Sequence, residues 1–165
     1  MAQARYAKLA DFGRELLSKK SLEEGLPLIG RYAKEVIGTQ RCSIFIYDKH
    51  NQTLWTTLAD GTQKITVESD KGIVGQTLKE KKPLVVNDAY AHPSFLVDVD
   101  KETGYTTRNI ITAPVFSANR ELLGVIELLN KDGDFTAEDE KFIVFFSHYI
   151  SGFIELVKTY IKTQE

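Results

Sequence analysis

The sequence predicts an α+β domain built on one central antiparallel sheet of about six strands, with helices on both faces of that sheet. Three observations support this class. The hydrophobic pattern follows the order helix, helix, three strands, short helix, strand, long polar segment, two strands and helix. The chain of 165 residues is 42% hydrophobic and 27% charged, which suits one domain with a substantial core. No repeat or low-complexity stretch interrupts the pattern.

Two helices are predicted before the first strand. Apolar residues at helical spacing mark an amphipathic helix over residues 6–20. Ser21 and Glu24, three positions apart, form a capping box that starts a second helix. Pro27 is expected to kink this second helix or to delay its start, because proline lacks the backbone N–H that a helix interior uses.

Short apolar runs bounded by turn residues predict the strands. They cover residues 41–47, 54–58, 64–68, 84–87, 109–116 and 122–130. A short helix is predicted over 71–81, and the polar segment 88–109 is longer than most simple connections, which favours a functional loop. Thr136, with Asp139 three positions on, caps a long final helix.

Charge and hydropathy exclude several classes of partner. The net charge is −2, so no global field attracts nucleic acid or an anionic membrane surface. No apolar run approaches the roughly 20 residues that span a bilayer, and the N-terminus lacks the apolar core of a signal peptide. We therefore expect a soluble, cytoplasmic protein with no nucleic-acid partner and no membrane partner.

The residue types that usually form catalytic or metal sites are scattered. His50, His92 and His148 lie in a predicted turn, a loop and a helix, and none belongs to a recognisable nucleophile motif. Cys42 is the single cysteine and is expected to be a small buried thiol. No Walker A sequence or dinucleotide fingerprint is present. The sequence therefore predicts no catalytic residue, no metal and no cofactor, in a protein that is not an enzyme.

Two glycines stand at the predicted short helix. Gly72 precedes it and Gly75 lies within it. A glycine lets the backbone approach a ligand closely, and helix N-terminal amides favour an anion such as phosphate. Chain turning and close packing explain the same glycines, so these two residues alone do not specify a ligand.

A more specific motif follows the last predicted strand. It reads Asn-Lys, a short spacer, Phe, three residues and Asp-Glu, at Asn130, Lys131, Phe135, Asp139 and Glu140. This motif resembles that of GAF domains in cyclic-nucleotide phosphodiesterases and related adenylyl cyclases. Four further stretches are similar to the same domains and occur in the same order, at residues 72–75, 87–93, 103–109 and 124–130.

The resemblance implies a domain organisation. Residues 21–158 form the GAF-like sensor domain, residues 1–20 an N-terminal signalling or dimerisation helix, and residues 159–165 the end of the last helix. It also implies the fold: a GAF-like central antiparallel sheet with long N- and C-terminal helices.

In the cyclic-nucleotide-binding members, the ligand lies under the loop between the fourth and fifth strands. Positions carried over from them are Ser43 and Asp100 for the purine, the backbone amides of Ile73 and Val74 for the cyclic phosphate, Thr103 and Thr107 for hydroxyl contacts, Glu127 from the last strand, and Leu96 and Val99 for the lid. Helix N-terminal amides suit a singly charged phosphate without a dedicated arginine. The resemblance therefore implies a pocket without a metal.

Two expectations concern single positions. Lys131 and Asp139 are expected, from the resemblance, to form a salt bridge that secures the lid, and as an exposed pair it would contribute about 0–1 kcal/mol. Val74 stands where nucleotide-binding members usually carry Ala, so its extra methyl groups are expected to crowd the phosphate.

The implied function is a regulatory, small-molecule-binding sensor domain in signal transduction, with cAMP or cGMP as the ligand. Two alternatives remain open from the sequence: another small ligand, such as an amino acid or a 2-oxo acid, and a ligand-free dimerisation module. An effector domain in a longer protein is a further expectation.

The final helix carries two apolar stripes. The first has the four- and three-residue spacing of a coiled coil and contains Phe142, Phe146, Tyr149, Phe153, Leu156 and Tyr160. The second contains Ile143, Ile150, Ile154, Val157 and Ile161. One stripe is enough to pack on the sheet, so the other is expected to meet the N-terminal helix or a second subunit. GAF domains often dimerise through terminal helices, and we expect a parallel homodimer with the first and last helices bundled.

Overall fold

A computed structural model describes residues 8–57, 64–97, 101 and 104–164, with backbone only over 160–164. The helices are α1 (Leu9–Leu17), α2 (Leu22–Ile37), α3 (Gly72–Glu80) and α4 (Ala137–Gln164). The strands are β1 (Thr39–Asp48), β2 (Thr53–Thr57), β3 (Lys64–Glu68), β4 (Leu84–Val86), β5 (Ile110–Phe116) and β6 (Leu122–Lys131). This order of elements confirms the predicted α+β class.

The six strands form one sheet in the order β3-β2-β1-β6-β5-β4, and every neighbouring pair is antiparallel. The long central pair, β1 and β6, is in register from Thr39 opposite Lys131 to Ile46 opposite Gly124. Because side chains alternate between the two faces of a strand, this register decides which residues of β1 and β6 share a face.

One face of the sheet is covered by α1, α2 and α4. The even-numbered residues of β1, such as Ile44, meet Ile111 of β5 and Ile126 of β6 in one continuous core cluster with these helices. Phe142 and Phe146 of α4 are fully buried in the same cluster. We call this side of the sheet the helical face.

The other side of the sheet carries α3 among the described helices, and we call it the pocket face. Val74 and Leu78 of α3 pack with Leu54 and Val125 in one small cluster. A second small cluster joins Ile73 to three residues from the β4 side of the sheet, Val86, Ala89 and Ile110. The apolar contacts of α3 thus divide into two groups, with the middle of the sheet between them.

Three elements differ in detail from the prediction. Helix α1 ends at Leu17 and is shorter than the predicted 6–20, of which residues 6 and 7 lie outside the described part. Helix α2 starts directly after Ser21, whose hydroxyl accepts from the Glu24 amide at 3.2 Å, so Pro27 does not delay its start. The long loop contains a short 3-10 turn at Ala89–Ala91.

Part of the predicted coiled-coil seam of α4 is covered within the same chain. Phe142, Phe146 and Phe153 are buried, and the side chain at position 160 is outside the described part. Phe12 of α1 lies with its ring centroid 5.5 Å from that of Phe146. Phe153 occupies the space left by Gly25 of α2, where a Cβ would clash with its ring. The first and second helices therefore cover the phenylalanine residues of this stripe, whereas Tyr149 and Leu156 are 39% and 66% exposed.

Within α4, Ala137–Thr159 is long and apolar enough to cross a membrane by length and composition alone, with a mean hydropathy of 1.2. No such segment was expected from the sequence, in which no apolar run approaches the roughly 20 residues that span a bilayer. This is weak evidence for a membrane span, since the core helix of a globular domain passes the same test. Here Ile143, Ile150 and Ile154 of that segment are fully buried in the core cluster.

Candidate ligand-binding site

A row of polar side chains crosses the centre of the pocket face. Ser43 on β1 lies opposite Glu127 on β6, and Glu127 lies opposite Thr112 on β5. On the same face of β6, Val125 and Leu129 flank Glu127 on either side. Ser43 and Glu127 are half-buried, and burial raises the pKa of the Glu127 carboxyl to about 7.

The hydroxyl of Thr112 is already engaged. Thr77 of α3 donates to the Ile73 carbonyl oxygen at 2.8 Å, and its oxygen lies 2.5 Å from the Thr112 hydroxyl oxygen. A hydroxyl has one hydrogen to donate, so Thr112 must be the donor in the contact between the two threonines. Thr112 therefore has no hydrogen left for the Glu127 carboxyl.

The N-terminus of α3 lies beside this row, because Val74 clusters with Val125 and Ile73 with Leu129, the two residues that flank Glu127. Lys71 at the N-cap makes no side-chain capping bond. Among the described residues, the first helical amide with a backbone partner is that of Gly75, which donates to the Lys71 carbonyl at 3.0 Å. The first amides of a helix have no partner within the helix, so those of Ile73 and Val74 are suited to an anion. Gly72 has a φ of +70°, which explains why glycine stands at this turn.

Leu96 of the long loop lies over this turn. A Cβ at Gly72 would lie 3.2 Å from Leu96 Cδ1, so the loop rests directly on the start of α3. Leu96 is 44% exposed. A broad surface groove is lined by Gly72, Gly75 and Leu96 and continues towards Tyr47 at the end of β1. It meets the predicted site only at the start of α3.

The other predicted ligand residues fall into two groups. Thr107 is buried, with 4% of its surface exposed. Val99, Asp100 and Thr103 lie outside the described residues. The side chain of Val74 packs into the apolar cluster with Leu54 and Val125, so the expectation that its methyl groups crowd the phosphate is not supported.

Asn130 connects three segments at the end of β6. Its amide oxygen accepts from the backbone N–H of Arg108 at 2.6 Å, and its amide nitrogen donates to the Thr106 carbonyl at 2.7 Å and to the Tyr105 hydroxyl at 2.9 Å. Its φ of +63° is a conformation that asparagine tolerates better than most residues. The first residue of the predicted motif thus holds segment 105–108 against the sheet.

Lys131 and Asp139 form an ion pair, with Lys131 Nζ 2.5 Å from Asp139 Oδ2. The same carboxylate oxygen accepts from the Thr136 amide at 2.9 Å, and the Thr136 hydroxyl accepts from the Asp139 amide at 3.1 Å. This confirms the predicted cap of the final helix. The expectation of an exposed pair is wrong, because the Asp139 side chain is 0% exposed and that of Lys131 19%.

The remaining motif residues lie at the start of α4. Phe135 is buried in the core cluster on the helical face, and its amide donates to Asn87 Oδ1 at 2.9 Å. Glu140 is half-buried in the first turn of the helix. The motif therefore joins the end of β6, the loop after β4 and the first turn of α4.

Four residues that hold the loop were not predicted as site residues: Gln40, Arg41, Tyr105 and Asn109. Tyr105 donates its hydroxyl to Gln40 at 2.9 Å, and the Arg41 guanidinium lies 3.5 Å from the centre of the Tyr105 ring. Asn109 donates to the Gly133 carbonyl at 2.7 Å and accepts from the Lys131 amide at 2.9 Å. Tyr105 and Asn109 lie in the stretch 103–109 that carries the resemblance, but their partners are distant in the sequence.

Comparison with known proteins shows the family. The GAF domain family model matches residues 21–154, and the chain belongs to this family. Among curated proteins, the probable 3',5'-cyclic phosphodiesterase pde-5 of Caenorhabditis elegans is 27% identical, over 86% of this chain and 21% of the relative. The chain therefore spans about a fifth of the length of that relative.

Solved structures share the fold. The GAF domain of a phosphoenolpyruvate-protein phosphotransferase from Coxiella burnetii superposes with a TM-score of 0.82 at 20% identity, over 96% of each chain. Free methionine-R-sulfoxide reductase from Neisseria meningitidis, in complex with its substrate, superposes with a TM-score of 0.74 at 18% identity. That match covers 96% of this chain and 92% of the reductase. At these identities the likeness is one of fold.

Proposed function

We propose that this GAF domain is a regulatory sensor that binds a cyclic nucleotide, cAMP or cGMP, between α3 and the pocket face of the sheet. The observation that carries the proposal is the position of Ser43 and Glu127 beside the first amides of α3, those of Ile73 and Val74, whose side chains cluster with the residues on either side of Glu127. A purine needs a few polar groups in an apolar setting, and its cyclic phosphate needs donors for one negative charge. The phosphodiesterase relative, at 27% identity, supports this choice of ligand.

The proposal is for binding and not for catalysis. Cys42, the single cysteine, lies in register with Leu128 on the strand face opposite to that of Ser43 and Glu127. Burial raises the pKa of the Cys42 thiol, with a smaller contribution from the charge of Glu127. A thiol with a raised pKa is a poor nucleophile, because the thiolate is the reactive form.

Isothermal titration calorimetry and thermal unfolding with cAMP and with cGMP test the proposal. A ligand at about a hundred times its Kd stabilises the folded state by about 2.7 kcal/mol, so the melting temperature should rise. Ser43→Ala and Glu127→Ala should each weaken binding by about 1–3 kcal/mol and leave the domain folded. Ser151→Ala, on α4, is the matched control, since its hydroxyl bonds only within its own helix. If neither nucleotide binds at millimolar concentration, the proposal is wrong.

We also propose that the sensor acts as a parallel homodimer through one face of α4. Phe145, Tyr149 and Leu156 are exposed by 44%, 39% and 66%, and their spacing of four and seven residues continues a coiled-coil pattern. Gly152 lies on the same face, where a Cβ would meet nothing within 4 Å. The phosphodiesterase relative is several times longer than this chain, which supports a helix that leads into further domains.

A further inference from the structure

Glu127 is a carboxyl group without a partner among the described residues. It takes part in no hydrogen bond or ion pair with them, although it stands at the centre of the pocket face. Its neighbour on β5, Thr112, donates its hydroxyl hydrogen to the Thr77 oxygen. Its neighbour on β1, Ser43, is half-buried and likewise forms no hydrogen bond through its side chain with described residues.

The charged groups that the structure describes around Glu127 form no ion pair with its carboxyl. Among the described residues of the strands, α3 and the loop around it, the titratable and charged side chains are Arg41, Cys42, Tyr47 and Asp48 of β1, Lys131 of β6, Lys71, Lys79 and Glu80 at α3, and Asp88, His92, Lys101, Tyr105 and Arg108 of the loop. Lys34 of α2 lies behind the sheet. Arg41 is stacked on Tyr105, and Lys131 is paired with Asp139. Burial alone raises the pKa of Glu127, to about 7, so near neutral pH the carboxyl is about half protonated.

We propose that the domain binds its nucleotide with Glu127 protonated, so that ligand binding takes up a proton; this rests on the proposed function. Two physical reasons support the protonated form. The cyclic phosphate brings a negative charge into the same pocket, and a second negative charge on Glu127 opposes it. A protonated carboxyl also offers one donor beside one acceptor, whereas a carboxylate only accepts.

The protonation state of Glu127 determines which hydrogen-bonding edge of a purine its carboxyl can bind. It pairs with an acceptor that stands next to a donor, as adenine N1 stands next to its exocyclic amine and guanine O6 next to its N1–H. An ionised carboxylate would instead select two adjacent donors, which guanine presents and adenine does not. Glu127 is therefore a specificity-determining residue that favours a purine acceptor, and this preference leaves a signature in the pH dependence of binding.

Calorimetric titration of the whole chain with cAMP and with cGMP, at several pH values and in buffers of different ionisation enthalpy, tests this inference. Between about pH 6 and about pH 8 the affinity should fall about tenfold, and proton uptake at the higher pH should approach about one per ligand. In Glu127→Gln the affinity should be independent of pH over this range. Because glutamine also carries one donor group and one acceptor, the variant should bind at the higher pH about as tightly as the wild type does at the lower pH.

Glu35→Gln is the matched control, because Glu35 is an exposed glutamate on α2 and its replacement changes the net charge equally. This control should keep the wild-type pH dependence. Binding that does not depend on pH, or that tightens as pH rises, would overturn the protonated form of Glu127 and leave the sensor proposal standing. Binding of neither nucleotide at either pH would overturn both proposals. Thermal unfolding without ligand checks that Glu127→Gln is folded.

Discussion

Glu127 shows at the residue scale how a side chain in the middle of a sheet face acquires unusual chemistry. Its carboxyl is half-buried among β1, β5 and β6, and burial raises its pKa to about 7 from an ordinary value of 4.5. The folded state therefore binds a proton that the unfolded chain releases, between about pH 4.5 and pH 7. Folding stability contributed by this group is complete below pH 4.5 and is lost as pH rises towards 7.

Glu127→Gln should remove this dependence. Because glutamine is never charged, the variant should be more stable than the wild type at about pH 8, by about 2 kcal/mol, and similar to it at about pH 4.5. Urea unfolding across the pH range measures the difference. A difference between wild type and variant that does not change with pH would contradict the raised pKa.

Asn130 is the residue with the largest number of described side-chain hydrogen bonds in the site. Asn130→Asp keeps the size of the side chain and its tolerance of a positive φ, but it replaces a donor by an acceptor facing the Thr106 carbonyl. We expect a loss of about 1–3 kcal/mol in the free energy of unfolding, measured with denaturant. Asn119→Asp, in the exposed turn between β5 and β6, is the control and should change stability little. Equal stability of the two variants would show that the Asn130 network contributes nothing.

At the scale of elements, replacing a glycine by alanine has opposite expected effects in the central strand pair and in α4. Gly124 of β6 faces β1 so closely that a Cβ would clash with the Phe45 carbonyl oxygen, whereas a Cβ at Gly152 of α4 would meet nothing within 4 Å. Gly124→Ala should destabilise the domain by about 3 kcal/mol, because the central strand pair must separate. Gly152→Ala should stabilise α4 by up to about 1 kcal/mol through helix propensity.

Thermal and denaturant unfolding of both glycine variants measures these changes. Both substitutions add one methyl group. At Gly124 it meets the Phe45 carbonyl oxygen, whereas at Gly152 it meets nothing within 4 Å, so the gain in helix propensity remains. A small loss of stability in Gly124→Ala would show that β1 and β6 are far enough apart to accommodate a methyl group beside the Phe45 carbonyl, contrary to the contact described.

At the scale of the whole molecule, the homodimer depends on the exposed face of α4. Leu156→Glu places a charge where 66% of the leucine surface is exposed, so the fold should survive and the dimer should dissociate. Ile65→Glu, on the edge strand β3, is the control and should leave the assembly unchanged. Ile65 is 37% exposed, and β3 lies four strands away from β5, the strand on which α4 packs. Sedimentation equilibrium measures the mass. A wild-type chain that stays monomeric at high micromolar concentration would contradict the dimer.

Helix α1 packs against α2 and α4 of its own chain and is one of the two partners expected for the apolar stripe of α4. Phe12 stacks on Tyr32 of α2 at 4.3 Å between ring centroids, and Tyr149 of α4 donates its hydroxyl to the Leu9 carbonyl at 3.0 Å. These contacts bring α1 into the core of its own chain. The dimer proposal therefore rests on the side of α4 that carries Phe145, Leu156 and the exposed part of Tyr149.

Much of the fold followed from local signals in the sequence. The capping boxes at Ser21 and Thr136 located the starts of α2 and α4, because each cap bonds to an amide three residues away. Alternation along β1 separated the helical face from the pocket face, since the side-chain period of a strand is two. The motif at the end of β6 indicated the family, and the family model later matched residues 21–154.

Only the tertiary structure decided the features that depend on residues distant in the chain. Asn130 and Gln40 lie 90 positions apart in the sequence, and Thr77 and Thr112 lie 35 apart. No local sequence pattern therefore predicts either hydrogen-bonded pair. The burial of Asp139 and the covering of Phe146 by Phe12 also arise from packing between separate elements. The periodicity of the sequence predicts which face of a helix or strand carries an apolar stripe or a polar group. The tertiary structure determines which residues of other elements pack against that face.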